Sequence, residues 1–375
     1  MTRPPATAER GLAGLAADAR IIVCCGSGGV GKTTTAAALG LLAARSGRRA
    51  VVVTIDPAKR LADAMGLARL SHEPERVALD GYGADGPGEL WAMMLDTRAT
   101  FDGLVRRYAA GDAQVEAIFH NRFYRNIAGA LSGTQEYMAV EQLSLLHHDP
   151  RFDLVVIDTP PTRAALDFLD APQRLVRFLE HPLFRFVVAP TRLGMRVANV
   201  AAQPVIRTMS KVVGSSVISD AIGFFQAFEG MEQGFAARAR DTMELLRSDA
   251  TRYVVVASPR HDTVAEARWF GRTLEDLGLV VAGVVVNRIH PDFGPAGPDD
   301  APADATDLWA NHRELQRVAR REAAVVAELF DQRHGTAAAR IPLMNDDVHD
   351  LAGLAAIAEL LAGGGSGWGP PATRG

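Results

Sequence analysis

The chain has 375 residues, 48% hydrophobic and 22% charged with only 6% aromatic, the balance of a globular protein with a mainly aliphatic core, which excludes a disordered chain or a small stapled module. Its 40 Lys and Arg against 44 Asp and Glu give a formal charge of -4, so no overall field attracts nucleic acid or an anionic membrane. The two cysteines, Cys24 and Cys25, are neighbours in one apolar run, which excludes a disulfide framework and a spaced zinc site and fits a reducing cytoplasm.

Residues 1–20 lack the apolar stretch and cleavage site of a signal peptide and read as a flexible leader. No later run approaches the roughly 20 apolar residues that cross a bilayer. Ile21 to Cys25 is a buried-strand candidate and Lys32 to Arg45 an alanine- and leucine-rich helix, joined by the glycine-dense GSGGVG. Ala50 to Ile55 and LWAMML at 90–95 are further strands. From about 97 to 148 the pattern is helical, with Gly129 and Gly133 as breaks, and RFDLVVIDTPPT returns to a strand ending at Asp158. Residues 164–248 read as helical again, divided by Pro182, Pro190 and Pro204, with FRFVVAP as an alternative extended piece. Tyr253 to Ala257 and Val281 to Asn287 are strands on either side of the helical DTVAEARWFGRTLEDLG; helices near 311–330 and 348–361 follow, and 363–375 reads as a flexible tail. This alternation predicts an α/β fold with one mostly parallel sheet flanked by helices. The expected organisation is a single domain over 21–362 with helical elaborations around 97–148 and 164–248.

The chemistry is concentrated in VCCGSGGVGKTT, where Gly26, Gly31, Lys32 and Thr33 occupy the GxxxxGK[ST] positions between a strand and a helix. Glycines let backbone N–H groups curl around phosphate oxygens, the helix N-terminus favours their charge, and Lys32 reaches the β and γ phosphates. Gly28, Gly29, Val30, Gly31, Lys32, Thr33 and Thr34 are therefore assigned to ATP, with Thr33 as a ligand of Mg2+. Such a site needs acidic groups at neighbouring strand ends. Asp158 follows an apolar strand in the Walker B pattern and is expected to serve magnesium through coordinated water. Asp56, after the second strand, is expected to orient the attacking water. The catalytic set is thus Asp56, Lys32 and Asp158.

These motifs resemble those of the arsenite-pump and tail-anchored-protein-targeting ATPases, a family within the SIMIBI class of P-loop NTPases. GSGGVGKTT is similar to that family's phosphate loop, DPAKRLADA to its first switch, and DTPPT to its second; SGTQEYMAVEQL, VVVNRI and IPLMNDDV add further likeness over nearly the whole chain. The resemblance implies that Asn287 reads adenine and that Pro342 borders the base. It also implies a homodimer or paralogous heterodimer and a membrane-protein or transport client, with a cytoplasmic location, peripheral to the membrane through a partner. One departure stands out. The family has a lysine after the first loop glycine, reaching across the dimer, where this chain has Ser27. Lys59, Arg60 and Arg163 are candidates to replace its charge, and Leu143, Leu145 and Leu146, or Phe224, Phe225 and Phe228, are candidates for a client surface. The activity expected is magnesium-dependent hydrolysis of ATP to ADP and phosphate, coupled to a partner. The alternatives are a nucleotide-dependent binding module with little hydrolysis and a kinase or ligating synthetase.

Overall fold

The structure, a computed structural model, describes residues 11–56, 60–82, 88–127, 134–180, 215–292, 294, 306–330 and 336–363. Gly129, Gly133, the three prolines of 182–204, FRFVVAP, Lys59 and the tail beyond 363 lie outside them. Two compact units divide the chain. One comprises 1–94, 146–165 and 247–375, the other 95–145 and 166–246.

The first unit is built on eight strands: β1 (Ile21–Gly26), β2 (Arg49–Thr54), β3 (Glu75–Arg76), β4 (Glu89–Met94), β5 (Leu154–Asp158), β6 (Thr251–Ala257), β7 (Val281–Ile289) and β8 (Ala337–Pro342). They form one sheet in the order β3-β4-β2-β5-β1-β6-β7-β8. Every pairing is parallel except the short edge contact of β3 with β4. The apolar runs IIVCC, AVVV and LVVI are buried along their lengths, as expected where helices cover both faces of a parallel sheet. Cys24 and Cys25 are part of this packing, and burial pushes the Cys25 thiol up to about 12. All parallel strands end on the same side of the sheet, so Gly26, Thr54, Asp158, Asn287 and Pro342 come from five strand ends on one edge, where open α/β sheets bind ligands.

The helix Lys32–Arg45 is buried along most of its length, and Leu39 and Leu41 join Val52, Leu90 and Val156 in a core cluster whose buried members include no aromatic ring. The helix Leu351–Leu361 adds Leu354, Ile357 and Leu361 to that cluster. Residues 11–18, placed by the sequence in a flexible leader, form a helix instead. Leu12 and Leu15 are buried in the same core, and the Arg48 guanidinium donates to the carbonyls of Ala16, Ala19 and Asp153 at 2.6 Å each. Strand β8 was also missed: its AAARIP sequence alternates buried and half-exposed positions with small residues, a weak signal beside the valine-rich strands.

The second unit is helical, with helices Thr97–Tyr108, Asp112–His120, Arg122–Ile127, Ser215–Ala227 and Glu232–Arg247 and most of Thr134–His147 and Thr162–Glu180. Its core concentrates the chain's scarce rings: Phe228 and Phe235 have centroids 4.9 Å apart, and Tyr124 stacks between Phe119 and Phe224. Of the candidates for a client surface, Leu143, Leu146 and Phe228 are buried, while Leu145, Phe224 and Phe225 are half-buried, the two phenylalanines against the ring cluster. Beneath them Arg238 Nε donates to the buried carboxylate of Glu141 at 2.8 Å.

Asp153 ties the starts of β2 and β5 together. It accepts from the Arg49 backbone N–H at 2.9 Å and from the Arg49 guanidinium at 2.8 and 3.1 Å. The Arg49 guanidinium holds the Asp153 carboxyl down at about 2. A depressed carboxyl stabilises fully above its unfolded value near 4 and loses that contribution as pH falls toward 2. The carboxylate is a third exposed, so after solvent screening Asp153→Asn should cost about 1 kcal/mol at neutral pH. Urea unfolding of both proteins should show that gap near pH 7 and its narrowing by about pH 3.

Candidate functional site

β1 ends where its neighbour leaves no room for a side chain: a Cβ on Gly26 would lie 2.1 Å from the Val256 carbonyl oxygen. The chain turns off the sheet there and enters the Lys32–Arg45 helix through Gly31, which holds φ at 95°, a left-handed geometry that glycine adopts without penalty. No side chain caps this helix start and no acidic residue lies in its first turn. The positive end of the helix is left to an external anion.

Lys32 is 8% exposed and its ammonium donates to the Ser27 carbonyl at 2.8 Å, closing the loop on itself. Burial pushes its pKa down, and the nearby Asp158 carboxylate opposes that shift. Thr33 Oγ1 donates to Asp158 Oδ2 at 2.7 Å, and Thr54 Oγ1 donates to the same oxygen at 3.0 Å. Asp158 Oδ1 is buried without a protein partner. Burial pushes the Asp158 carboxyl up, while the two hydroxyls favour its ionised form. Thr54 Oγ1 also accepts the Asp56 backbone N–H at 3.2 Å, so one hydroxyl connects the two acidic candidates. The Asp56 carboxylate is partly exposed and lies 4.0 Å from the Arg60 guanidinium.

This donor set fits magnesium. The ion takes hard oxygen ligands and keeps several waters beside one or two protein groups and the substrate's phosphates. A hydroxyl paired with a carboxylate whose second oxygen is orphaned meets that demand, and among the described residues no His, Cys, Asp and Glu cluster offers a rival site.

A cavity of about 440 Å³ opens over the loop. Gly29, Gly31, Lys32, Thr33 and Thr34 form its phosphate-loop wall, and Asn287 and Pro342 also line it. Around Pro342 the lining is mixed, with Ile341, Leu343, Met344 and Val348 beside Asp346 and Asp347, so the cavity sets a polar loop wall suited to phosphates beside a wall of apolar and acidic side chains. Gly28, Val30, Asp56 and Asp158 belong to the same strand ends but not to the wall. Asn287 grips the loop itself: its Nδ2 donates to Val30 O at 3.0 Å and its Oδ1 accepts the Arg288 N–H at 2.9 Å. A primary amide retains one further donor and one further lone pair after those two bonds.

Ser27, where the resembled family has lysine, turns inward. It is 7% exposed and its hydroxyl donates to Glu266 Oε2 at 2.6 Å. Glu266 sits on the helix His261–Asp276, far along the chain, and no local pattern announces the pairing. Thr54 and Arg288 were likewise missed, since a threonine ending a strand and an arginine beside an asparagine are ordinary in sequence.

The profile of the family described as "Anion-transporting ATPase" matches residues 19–363. The chain belongs to that family. Among its relatives, "Putative arsenical pump-driving ATPase 1" of Aquifex aeolicus (strain VF5) is 24% identical over 352 residues, covering 92% of this chain and 79% of the relative. "ATPase ASNA1 homolog 1" of Paramecium tetraurelia is 24% identical over 337 residues, 90% of each chain. "ATPase GET3" of Chaetomium globosum is 22% identical over 342 residues, 91% of this chain and 90% of the relative. With the sheet and loop above, the fold is that of an α/β P-loop NTPase.

Gly31 carries two constraints, its positive φ and the Asn287 amide nitrogen 2.1 Å from where a Cβ would stand. Gly31→Ala should therefore destabilise by about 1–3 kcal/mol. Thermal unfolding should show Asn287→Ala recovering only the steric part in the double variant, so that the two changes are non-additive.

Proposed function

We propose that this chain hydrolyses ATP to ADP and phosphate with magnesium, and that its nucleotide state controls a protein or transport partner. The observation that carries the reading is the uncapped helix start behind the glycine loop, with Lys32 inside it and Thr33 bonded to Asp158 beneath it. Family membership supports ATP as the nucleotide and hydrolysis as the reaction.

In this mechanism the loop N–H groups from Gly28 to Thr34 surround the phosphates, and Lys32 exchanges its bond to the Ser27 carbonyl for β and γ phosphate oxygens. Thr33 Oγ1 and, through water, Asp158 would hold the magnesium, which when bound would supply positive charge against that of the phosphates. Asp56 accepts a hydrogen bond from the attacking water and aims its oxygen at the γ phosphorus. The water oxygen bonds to that phosphorus as the bond to the bridging oxygen breaks, the electron pair leaves with ADP, and the water's protons depart with the inorganic phosphate. Thr54 couples the process to both switches, because its hydroxyl touches Asp158 and the Asp56 backbone together. Asn287 and Pro342 border the base. Loss of the γ phosphate then releases the segments that Asp56 and Asp158 begin.

The partner is a membrane-protein or transport client reached from the cytoplasm, with the chain acting as a homodimer or paralogous heterodimer. Among the described residues no helix is long and apolar enough to cross a membrane. Both cysteines lie in the middle strand of the sheet with their thiols pushed up by burial, so an arsenical, if it is the cargo of a partner pump, is not bound here through thiolates.

Phosphate release from ATP by purified protein, with and without magnesium, tests the reading. Asp56→Asn should slow turnover about 100-fold or more while leaving nucleotide affinity within a few-fold. Equal turnover by the two proteins removes the role given to Asp56. Tight nucleotide binding with no turnover, alone or with a partner fraction, favours a binding module instead.

A further inference from the structure

The end of β7 is irregular in a way that points two consecutive side chains at the phosphate loop. Val286 pairs with Arg340 and Ile289 with Pro342, so three steps along β7 match two along β8 and one residue is extra. Beside that irregularity Arg288 holds φ at 62°, and among the described residues it is the one non-glycine with a positive φ. Successive side chains of a regular strand point to opposite faces. Here Asn287 Nδ2 donates to Val30 O at 3.0 Å and Arg288 Nη1 to Gly29 O at 3.3 Å, two adjacent carbonyls of one loop. Bulges re-aim side chains beside binding sites, and a non-glycine residue keeps a left-handed conformation only where its surroundings hold it there. The holding groups are visible: Asn287 Oδ1 accepts the Arg288 N–H, and the Leu343 N–H donates to the Ile289 carbonyl at 2.8 Å just past the irregularity.

The guanidinium is little used by this arrangement. It lines the cavity, and its one protein acceptor among the described residues is the long bond to Gly29 O. Of the other cations on the described wall, Lys32 donates to the Ser27 carbonyl and the largely exposed Arg60 stands 4.0 Å from the Asp56 carboxylate. Ser27 turns its hydroxyl to Glu266 and adds nothing to the wall.

We infer that Arg288 is a substrate-binding cation of this site, placed by the β7 bulge to grip the phosphate chain of the bound nucleotide from within the same chain. The assignment rests on the nucleotide reading above and adds a residue to it. A guanidinium forks onto phosphate oxygens in a way that a neutral amide cannot.

Calorimetric titration of the full chain with ATP, ADP and adenosine in magnesium buffer tests it. Arg288→Gln keeps a polar side chain but carries no charge; it should weaken ATP and ADP binding about 10- to 100-fold and leave adenosine unchanged. Its ATP affinity should also fall less steeply with added salt than that of wild type. Arg288→Lys should retain most of the affinity. Arg288→Gly, which suits the left-handed backbone, should keep or raise the melting temperature while binding as weakly as the glutamine variant, which separates the loss of charge from misfolding. Wild-type affinity for ATP and ADP in the glutamine and glycine variants overturns the role of Arg288. Absence of ATP and ADP binding by wild type removes the nucleotide site itself, and this assignment with it.

Discussion

A carboxylate removed from water must find compensation, and the site is organised around how Asp158 finds it. Its side chain ends the strand beside β1, 2% exposed. One oxygen takes two threonine hydroxyls while the other has no protein partner. A buried charge left in that condition is costly, and its pKa rises accordingly. The neighbouring Lys32 is under the opposite pressure, its charged form disfavoured by the same burial. Each charge partly supports the other across the loop. Local rules of good packing are broken together here, at the strand ends and beside the uncapped helix start, and such concentrated violations mark functional sites. A magnesium-bound polyphosphate offers positive charge to one residue and negative charge to the other.

The parallel sheet makes that concentration possible. Because β1 runs between β5 and β6 and parallel to both, Gly26 and Asp158 come to the same edge without any loop having to bring them there. Threonines 33 and 54 then reach one carboxylate oxygen from the loop helix and from β2. The core cluster around the loop helix is aliphatic, while the second unit has a ring cluster and the Glu141 and Arg238 pair.

The sequence made the phosphate loop, the valine-rich strands and the Lys32–Arg45 helix legible because each depends on neighbours in sequence: glycine spacing, β-branched runs, an alanine-rich stretch. The helix 11–18 was not legible, since its order comes from Arg48 and from a core assembled by distant strands. Nor was the inward turn of Ser27, which depends on Glu266, 239 residues away. The β7 bulge escaped notice for a related reason. VVVNRI reads as an uninterrupted strand, and only its register against β8 shows the extra residue that turns Asn287 and Arg288 toward one loop. The motif marked the phosphate loop, whereas the residues packed around that loop are set by tertiary pairing.

On the proposed function, the Asp158 charge is retained for a magnesium nucleotide at the expense of the ligand-free fold. Thermal unfolding of wild type and Asp158→Asn, each with and without ATP and magnesium at neutral pH, tests this. The asparagine variant should melt at or above wild type without ligand, and saturating ATP with magnesium should reverse the order because only wild type gains the full stabilisation of binding. A variant that melts well below wild type without ligand, or that gains as much from the nucleotide as wild type does, would contradict it.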